Sequence, residues 1–135
     1  MVAGKDPFFK GLFLVAAVYD LVLGLLFFFF YRTVYAFFNI TLPPYPMYLQ
    51  MAAAFVMAMG VGYYFVYRNL YRNIDLVKLG IVYKIVYAGL TSYFYFSDLA
   101  HVTFFYFAVL DVLFAALFVW FLLYAKKDAR YLEWQ

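Results

Sequence analysis

The chain has 135 residues, of which 70% are hydrophobic and 13% are charged, and its mean hydropathy is +0.89. A soluble domain of this size could not cover so much apolar surface, so we predict that a lipid bilayer is the solvent for most of the chain. The modest net charge of +3 argues against nucleic acid as a partner, and the absence of cysteine excludes disulfides, thiolate metal sites and cysteine nucleophiles.

The first half of the chain predicts two membrane-spanning helices. Span one is predicted over residues 8–31, with Asp6 as its N-cap and Pro7 at the first helical position, where a missing N–H costs nothing. Three prolines within residues 39–46 cannot continue a helix, so this segment is predicted to be a loop. Span two then covers residues 48–67.

The second half predicts two more spans. A polar turn over residues 68–75 precedes span three, which covers residues 76–96. Asp98 is predicted to be the N-cap of span four, over residues 99–124. The predicted fold class is therefore all-α: a polytopic membrane protein whose four transmembrane helices form one bundle and a single domain over residues 1–135.

Basic residues are distributed unevenly between the two predicted faces of the membrane. The face that holds the termini carries eight of them: Lys5, Lys10, Arg68, Arg72, Lys78, Lys126, Lys127 and Arg130. The opposite face carries only Arg32. The positive-inside rule therefore predicts a multi-pass protein of the cell membrane (inner or plasma membrane) with both termini in the cytoplasm.

Three ionisable residues lie inside the predicted spans: Asp20, Lys84 and Asp111. Each costs about 2.5–3.5 kcal/mol at a helix centre on the insertion scale. At 1.5 Å per residue the two carboxylates are nearly level, about 18 and 20 Å from the cytoplasmic ends of their spans, and Lys84 lies about 6–8 Å lower. Span three is poor in large aliphatic residues, so we expect it to need its neighbours in order to stay inserted.

Small residues mark the packed sides of membrane helices, because they let backbones approach closely. Each charge shares a helical face with such residues, which favours an inward orientation, although Lys84 could instead extend toward the headgroups. The predicted packed faces are Ala16, Asp20 and Gly24; Gly80, Lys84, Ala88 and Thr91; Ala108, Asp111 and Ala115; and, in span two, Ala54, Ala58 and Gly62.

Two carboxylates and one ammonium leave one charge unbalanced, so we expect that one aspartate can hold a proton at neutral pH. Tyr19, Tyr83 and Tyr87 are near the charges in sequence and could supply hydroxyl partners. The cluster therefore predicts a site for a proton or a ligand near the membrane midplane. The alternative is a salt bridge that only fixes how the helices pack.

Asp98 and His101 are weak candidates for metal ligands, since their spacing can place both on one helical face. Two ligands do not make a metal site, so a solvated histidine at a helix start is the favoured interpretation and no metal is predicted. The sequence contains no phosphate-binding glycine loop and no HExxH motif. No cofactor is predicted.

The layout resembles the DoxX-like group of small four-helix membrane proteins. The residues that carry the resemblance are Gly24, the proline-containing loop at residues 43–46, Gln50 with the alanine-rich start of span two, Met59-Gly60-Val61-Gly62-Tyr63, and the Arg-Asn turn before Leu76-Val77-Lys78-Leu79-Gly80. Some members of that group are accessory subunits of membrane redox systems. The resemblance therefore implies an accessory role and assigns no catalytic residue.

Three classes of function remain open. The first is a non-enzymatic accessory, scaffold or small-ligand-binding bundle, which contacts the lipid bilayer and forms a homo-oligomer or joins a larger membrane complex. The second is a proton-coupled small-molecule transporter that works as an oligomer. The third is an intramembrane acid–base enzyme that acts on a lipid. We favour the first, so enzymatic activity is not expected.

Overall fold

A computed structural model describes residues 3–133, which form helices and turns without any β-strand. The prediction of an all-α fold is therefore confirmed for these residues. After a short 3₁₀ turn at Ala3–Lys5, the helices are α1 (Asp6–Phe29), α2 (Tyr31–Phe37), α3 (Pro46–Arg68), α4 (Ile74–Phe96), α5 (Val102–Ala125) and α6 (Ala129–Glu133).

Three of these helices, α1, α3 and α5, are long and apolar enough to span a membrane. Helix α4 is equally long, with 23 residues, but it is less apolar because it contains Asp75, Lys78, Lys84 and four tyrosines. Of the four spans predicted from the sequence, three therefore correspond to helices that are long and apolar enough to cross a membrane.

Two predicted helix starts are wrong. Helix α1 begins at Asp6 itself, after Lys5, and no side chain caps this end. The Asp6 carboxylate instead accepts hydrogen bonds from two tyrosines elsewhere in the fold. Helix α5 begins at Val102 and not directly after Asp98, because the His101 Nδ1 atom caps it by accepting a hydrogen bond from the Thr103 backbone N–H at 3.2 Å.

The four long helices form two close antiparallel pairs, α1 with α3 and α4 with α5. Between α1 and α3 the contact is so tight that a Cβ on Gly24 would lie 2.8 Å from the Ala53 carbonyl oxygen, and one on Gly60 would lie 2.9 Å from Leu21 Cγ. The predicted packed face of α3, Ala54, Ala58 and Gly62, is wrong. Ala54 and Ala58 are exposed, and Ala53 and Gly60 are buried instead. Small residues occur on several faces of α3, so their spacing alone does not select the packed one.

The two pairs meet through aromatic rings. Phe13 of α1 stacks on Phe118 of α5 with ring centroids 4.8 Å apart, and Phe9 packs on Phe121 at 5.2 Å. These rings belong to a large buried core at the end of the fold that holds the start of α1, α6 and the α3–α4 turn, which we call the terminal end.

A smaller core lies at the opposite end, called here the loop end, which holds α2 and the α4–α5 turn. It is built around Phe27, Tyr35 and Ala53. Gln50 donates a side-chain hydrogen bond to the Phe28 carbonyl oxygen at 3.1 Å. This bond joins α3 to the last turn of α1, beside the break that separates α1 from α2. The buried charged residues of the long helices, Asp20, Lys84 and Asp111, lie between the two cores.

Candidate functional site

The structure brings Asp20, Lys84 and Asp111 together. The Lys84 Nζ atom donates a hydrogen bond to Asp111 Oδ1 at 3.0 Å and lies 3.6 Å from Asp20 Oδ1. The exposed fraction is 0% for Lys84, 2% for Asp20 and 6% for Asp111. The alternative in which Lys84 extends to the headgroups does not describe this structure. Helix α1 and the α4–α5 pair are therefore joined by a buried three-residue ionic cluster.

Aromatic rings surround the ammonium on its remaining sides. The Lys84 Nζ atom lies 5.0–6.0 Å from the ring centroids of Phe114, Tyr63, Tyr19 and Tyr83. These are distances at which a cation is attracted to the face of an aromatic ring. The rings and the two carboxylates together replace the water that a lysine side chain normally keeps.

Tyr63 is a residue of this site that the sequence analysis did not assign to it. Its side chain is fully buried, and its ring lies against Gly80 of α4, where a Cβ would be 2.6 Å from Tyr63 Cε1. Gly80 lies one helical turn before Lys84, so the missing side chain makes room for the ring directly beneath the ammonium. In the sequence, the glycine four residues before Lys84 was the signal that could have indicated a large side chain packed against α4 at this level.

Three buried oxygen atoms of the site have no hydrogen-bond partner within residues 3–133: Asp20 Oδ2 and the hydroxyls of Tyr19 and Tyr63. An unpaired buried polar group costs about 1–3 kcal/mol, and a charged one costs more. Asp111 uses one oxygen for a hydrogen bond to Lys84, whereas Asp20 has a buried oxygen with no donor. Asp20 thus has capacity for a further donor at a buried oxygen.

A partly open cavity of about 200 Å³ lies beside the cluster. Its polar lining consists of Tyr19, Asp20, Tyr83, Tyr87 and Asp111, and Lys84 does not line it. The rest of the wall is apolar, extends toward the loop end and is formed by Leu23, Gly24, Phe27, Leu49, Ala52, Ala53, Val56, Phe104 and Phe107. The cavity can therefore accept a small molecule that has one polar end.

The predicted site residues separate into those at the cluster and those away from it. Tyr19 and Tyr83 contact the ammonium, and Tyr87 lies in the cavity wall. Asp98 and His101 lie in the α4–α5 turn, where His101 acts as a helix cap. Within residues 3–133 no group of three or more histidine, aspartate or glutamate residues is arranged to hold a metal ion.

A second polar cluster, at the terminal end, was not predicted from the sequence. Asp6 accepts hydrogen bonds from the Tyr71 and Tyr124 hydroxyls at 2.9 and 3.0 Å, and its other oxygen lies 3.0 Å from Arg130. Arg130 also forms two side-chain hydrogen bonds to Asp128, at 2.9 and 2.6 Å. This cluster attaches α6 to the start of α1 and to the α3–α4 turn.

The charges of the terminal-end cluster stabilise one another. The Arg130 hydrogen bonds lower the pKa of the Asp128 carboxyl to about 2, and the same bonds raise the pKa of the Arg130 guanidinium. Burial raises the pKa of the Tyr71 phenol, and its hydrogen bond to Asp6 raises it further. The phenol therefore stays protonated and acts as a donor.

Comparisons of the chain with protein-family models, with curated proteins and with solved structures give no match. The resemblance to the DoxX-like group stays a prediction. The function is therefore inferred from the ionic cluster and the cavity beside it.

Proposed function

We propose that the protein is a four-span integral membrane protein that binds a small, mainly apolar ligand in the cavity beside Asp20, Lys84 and Asp111. The observation that carries this proposal is the buried Asp20 Oδ2 atom, which has no hydrogen-bond donor within residues 3–133 and belongs to a residue that lines the cavity. A donor on a ligand would complete the hydrogen bonding of this carboxylate.

Membrane insertion is supported by the outer surface of the long helices. Large apolar side chains with exposed fractions of 40–65% occur on each of them, for example Val22, Phe55, Val82 and Leu113. A surface of this kind is suited to lipid and unfavourable in water. We place both termini in the cytoplasm, because eight of the nine basic residues outside the cluster lie at the terminal end.

The inclusion of α4 as a fourth span is supported by the surroundings of Lys84. A lysine in lipid is costly, but here its ammonium contacts Asp111 and Asp20 and no part of the residue is exposed. Lys84 lowers the hydropathy of α4, and its ion pairs offset the free-energy cost of placing its charge in the membrane. The helix is therefore suited to a membrane once it is packed against α5 and α1.

A non-enzymatic binding role fits the chemistry of the cavity wall better than catalysis. The ammonium lies behind the carboxylates and rings, so it cannot reach a ligand in the cavity. The acidic groups and phenols that line the wall include no nucleophile paired with a base. An accessory subunit or carrier that holds a ligand, alone, as a homo-oligomer or in a larger membrane complex, is consistent with these groups.

Proton-coupled transport by an oligomer is a second candidate, supported by a separate observation. The two carboxylates exceed the single ammonium by one negative charge, and both line the cavity. The additional carboxylate is suited to exchanging a proton.

The proposal is tested by native mass spectrometry of the protein purified in a mild detergent. A bound small molecule is expected in the wild type and absent from Ala52→Trp, because residue 52 lines the cavity and is exposed. The matched control is Ala54→Trp, an exposed position on the same helix that is not part of the cavity wall.

Loss of the bound molecule in Ala52→Trp with retention in Ala54→Trp supports the cavity as the site. The proposal fails if no molecule is retained by the wild type and if no probe from a panel of cationic, neutral and anionic amphiphiles raises its melting temperature.

A further inference from the structure

We infer that the cavity accepts an amphiphilic cation with a single positive charge, such as a protonated alkylamine, whose ammonium contacts Asp20. This inference rests on the proposed ligand-binding function and specifies its ligand class. It follows from four observations: the charges that face the cavity, the sum of charges in the cluster, the different bonding of the two carboxylates and the course of the apolar wall.

The groups that face the cavity favour a cation. Its polar wall contains two carboxylates and three phenols. The one cation near it in the described part of the chain, Lys84, is fully buried and absent from the wall. An ionised carboxylate accepts hydrogen bonds and cannot donate them, whereas a phenol can do both. A ligand with an anionic head would therefore meet like charges on Asp20 and Asp111.

The sum of charges favours a ligand with a single positive charge. Asp20, Asp111 and Lys84 together carry one negative charge when both carboxyls are ionised. Charges interact strongly where water is excluded, so an unbalanced charge in the cluster is unfavourable. One positive charge on the ligand balances the cluster, and a second one would leave it unbalanced again.

The bonding of the two carboxylates assigns the contact to Asp20. Asp111 Oδ1 accepts the hydrogen bond from Lys84 at 3.0 Å, whereas the nearest Asp20 oxygen lies 3.6 Å from the same ammonium. Asp20 Oδ2 is buried and has no donor within residues 3–133. Asp111 therefore holds Lys84, and Asp20 is the carboxylate that can turn toward a ligand.

The apolar wall indicates where the tail of the ligand lies. Leu23, Phe27 and Phe107 line the cavity and also line a neighbouring groove of about 660 Å³. That groove is almost wholly apolar and continues along α1 to α2, as far as Phe37 and Phe38. An alkyl chain can thus run from Asp20 toward the loop end while it contacts apolar side chains throughout.

The experiment compares three probes that share one tail and differ in the charge of the head: dodecylamine, dodecanol and dodecanoate. Binding to the purified protein is measured by the change in melting temperature and by retention in native mass spectrometry. We expect dodecylamine to bind the wild type most tightly and dodecanoate not to bind. Asp20→Asn should weaken dodecylamine about tenfold or more, as expected for a lost charge-assisted hydrogen bond, and leave dodecanol nearly unchanged.

Retained dodecanol binding by Asp20→Asn shows that the variant is folded and its cavity intact, and Ala52→Trp should lose all binding. The inference is overturned if dodecylamine binds Asp20→Asn as tightly as the wild type, or if dodecanol or dodecanoate binds the wild type more tightly than the amine. If no probe of any charge binds, the proposed function itself fails, which is a different result from a wrong ligand charge.

Discussion

The Lys84 ammonium and the Asp111 carboxylate lie 3.0 Å apart on two helices that are joined by a short turn. This ion pair belongs to the close α4–α5 pair, whereas Asp20 approaches the ammonium from α1 at a longer distance of 3.6 Å. The cluster is therefore asymmetric: one carboxylate holds the lysine and the other is available.

The asymmetry predicts that Asp111→Asn destabilises the protein more than Asp20→Asn. Loss of the closer partner weakens a buried ion pair and is expected to cost about 3 kcal/mol. In Asp20→Asn the hydrogen bond from Lys84 to Asp111 persists, and the expected cost is below about 1 kcal/mol. Unfolding in mixed micelles with increasing denaturing detergent measures both. An equal loss of stability in the two variants would contradict the asymmetry.

The close contact between α1 and α3 predicts that alanine at Gly24 destabilises the protein. A Cβ on Gly24 would meet Met57 Cγ and would lie 2.8 Å from the Ala53 carbonyl oxygen, which cannot move without its helix. Gly24→Ala should therefore push the helices apart and destabilise the protein by about 1–3 kcal/mol. Thermal unfolding in detergent measures the effect.

Gly89 is the matched control for Gly24, since it is also helical but is exposed, with nothing within 4 Å of its added Cβ. Gly89→Ala should leave the stability unchanged or raise it by up to about 1 kcal/mol, because alanine is the better helix former. If Gly24→Ala were as stable as Gly89→Ala, the close α1–α3 contact would be wrong.

The terminal-end cluster predicts that the attachment of α6 weakens at acidic pH. Hydrogen bonds from Arg130 lower the pKa of Asp128 to about 2, below the value of about 3.9 for an unperturbed aspartate. The stabilisation by Asp128 is therefore fully present above about pH 4 and is lost as the pH falls toward about 2. Proteolysis of the C-terminal segment by pepsin, measured across this range, should increase as the pH falls.

Asp128→Asn should remove most of this pH dependence, so that pepsin cleaves the C-terminal segment to a similar extent at pH 4 and at pH 2. Asp75→Asn serves as the control, because the Asp75 side chain is 94% exposed and its 3.6 Å contact with Lys78 is a surface ion pair of little energetic value. A wild-type segment that is cleaved equally at pH 4 and pH 2 would show that Asp128 does not hold α6.

The all-α class and the approach of Asp20, Lys84 and Asp111 follow from features that a sequence contains. The apolar segments are long, and each charge lies one or two helical turns from small residues on the same face. For a charge in an apolar segment, burial without a partner is so unfavourable that few arrangements remain. Only two carboxylates in the long apolar segments were available to the lysine.

Other parts of the fold depend on contacts that spacing does not determine. Tyr63 is one of four tyrosines in α3, and only its position over Gly80 distinguishes it from the others. Asp6 and Arg130 are far apart in the sequence, and both look like ordinary residues at the ends of helices. Their contact requires the helix ends to meet in space. The cavity depends equally on how the two helix pairs pack, since residues of all four long helices line it.

The number of spans is open to a direct test, because the chain contains no cysteine and single cysteines can be introduced as labels. Suitable exposed positions are Gly4 and Lys126 at the terminal end, and Leu42 and Leu99 at the loop end. If all four long helices cross the membrane, a membrane-impermeant maleimide applied to intact cells should label Leu42→Cys and Leu99→Cys. Gly4→Cys and Lys126→Cys should react only after the cells are opened.

A chain in which α4 does not cross gives a different pattern, since α5 would then carry the C-terminus to the outside. Lys126→Cys would react in intact cells, and Leu99→Cys would not. The residues of α4 are less apolar than those of the other long helices. We therefore expect the four-span pattern to depend on the ion pairs that compensate the charge of Lys84. Combining Asp20→Asn with Asp111→Asn leaves the ammonium without a carboxylate and should shift part of the population to the three-span pattern.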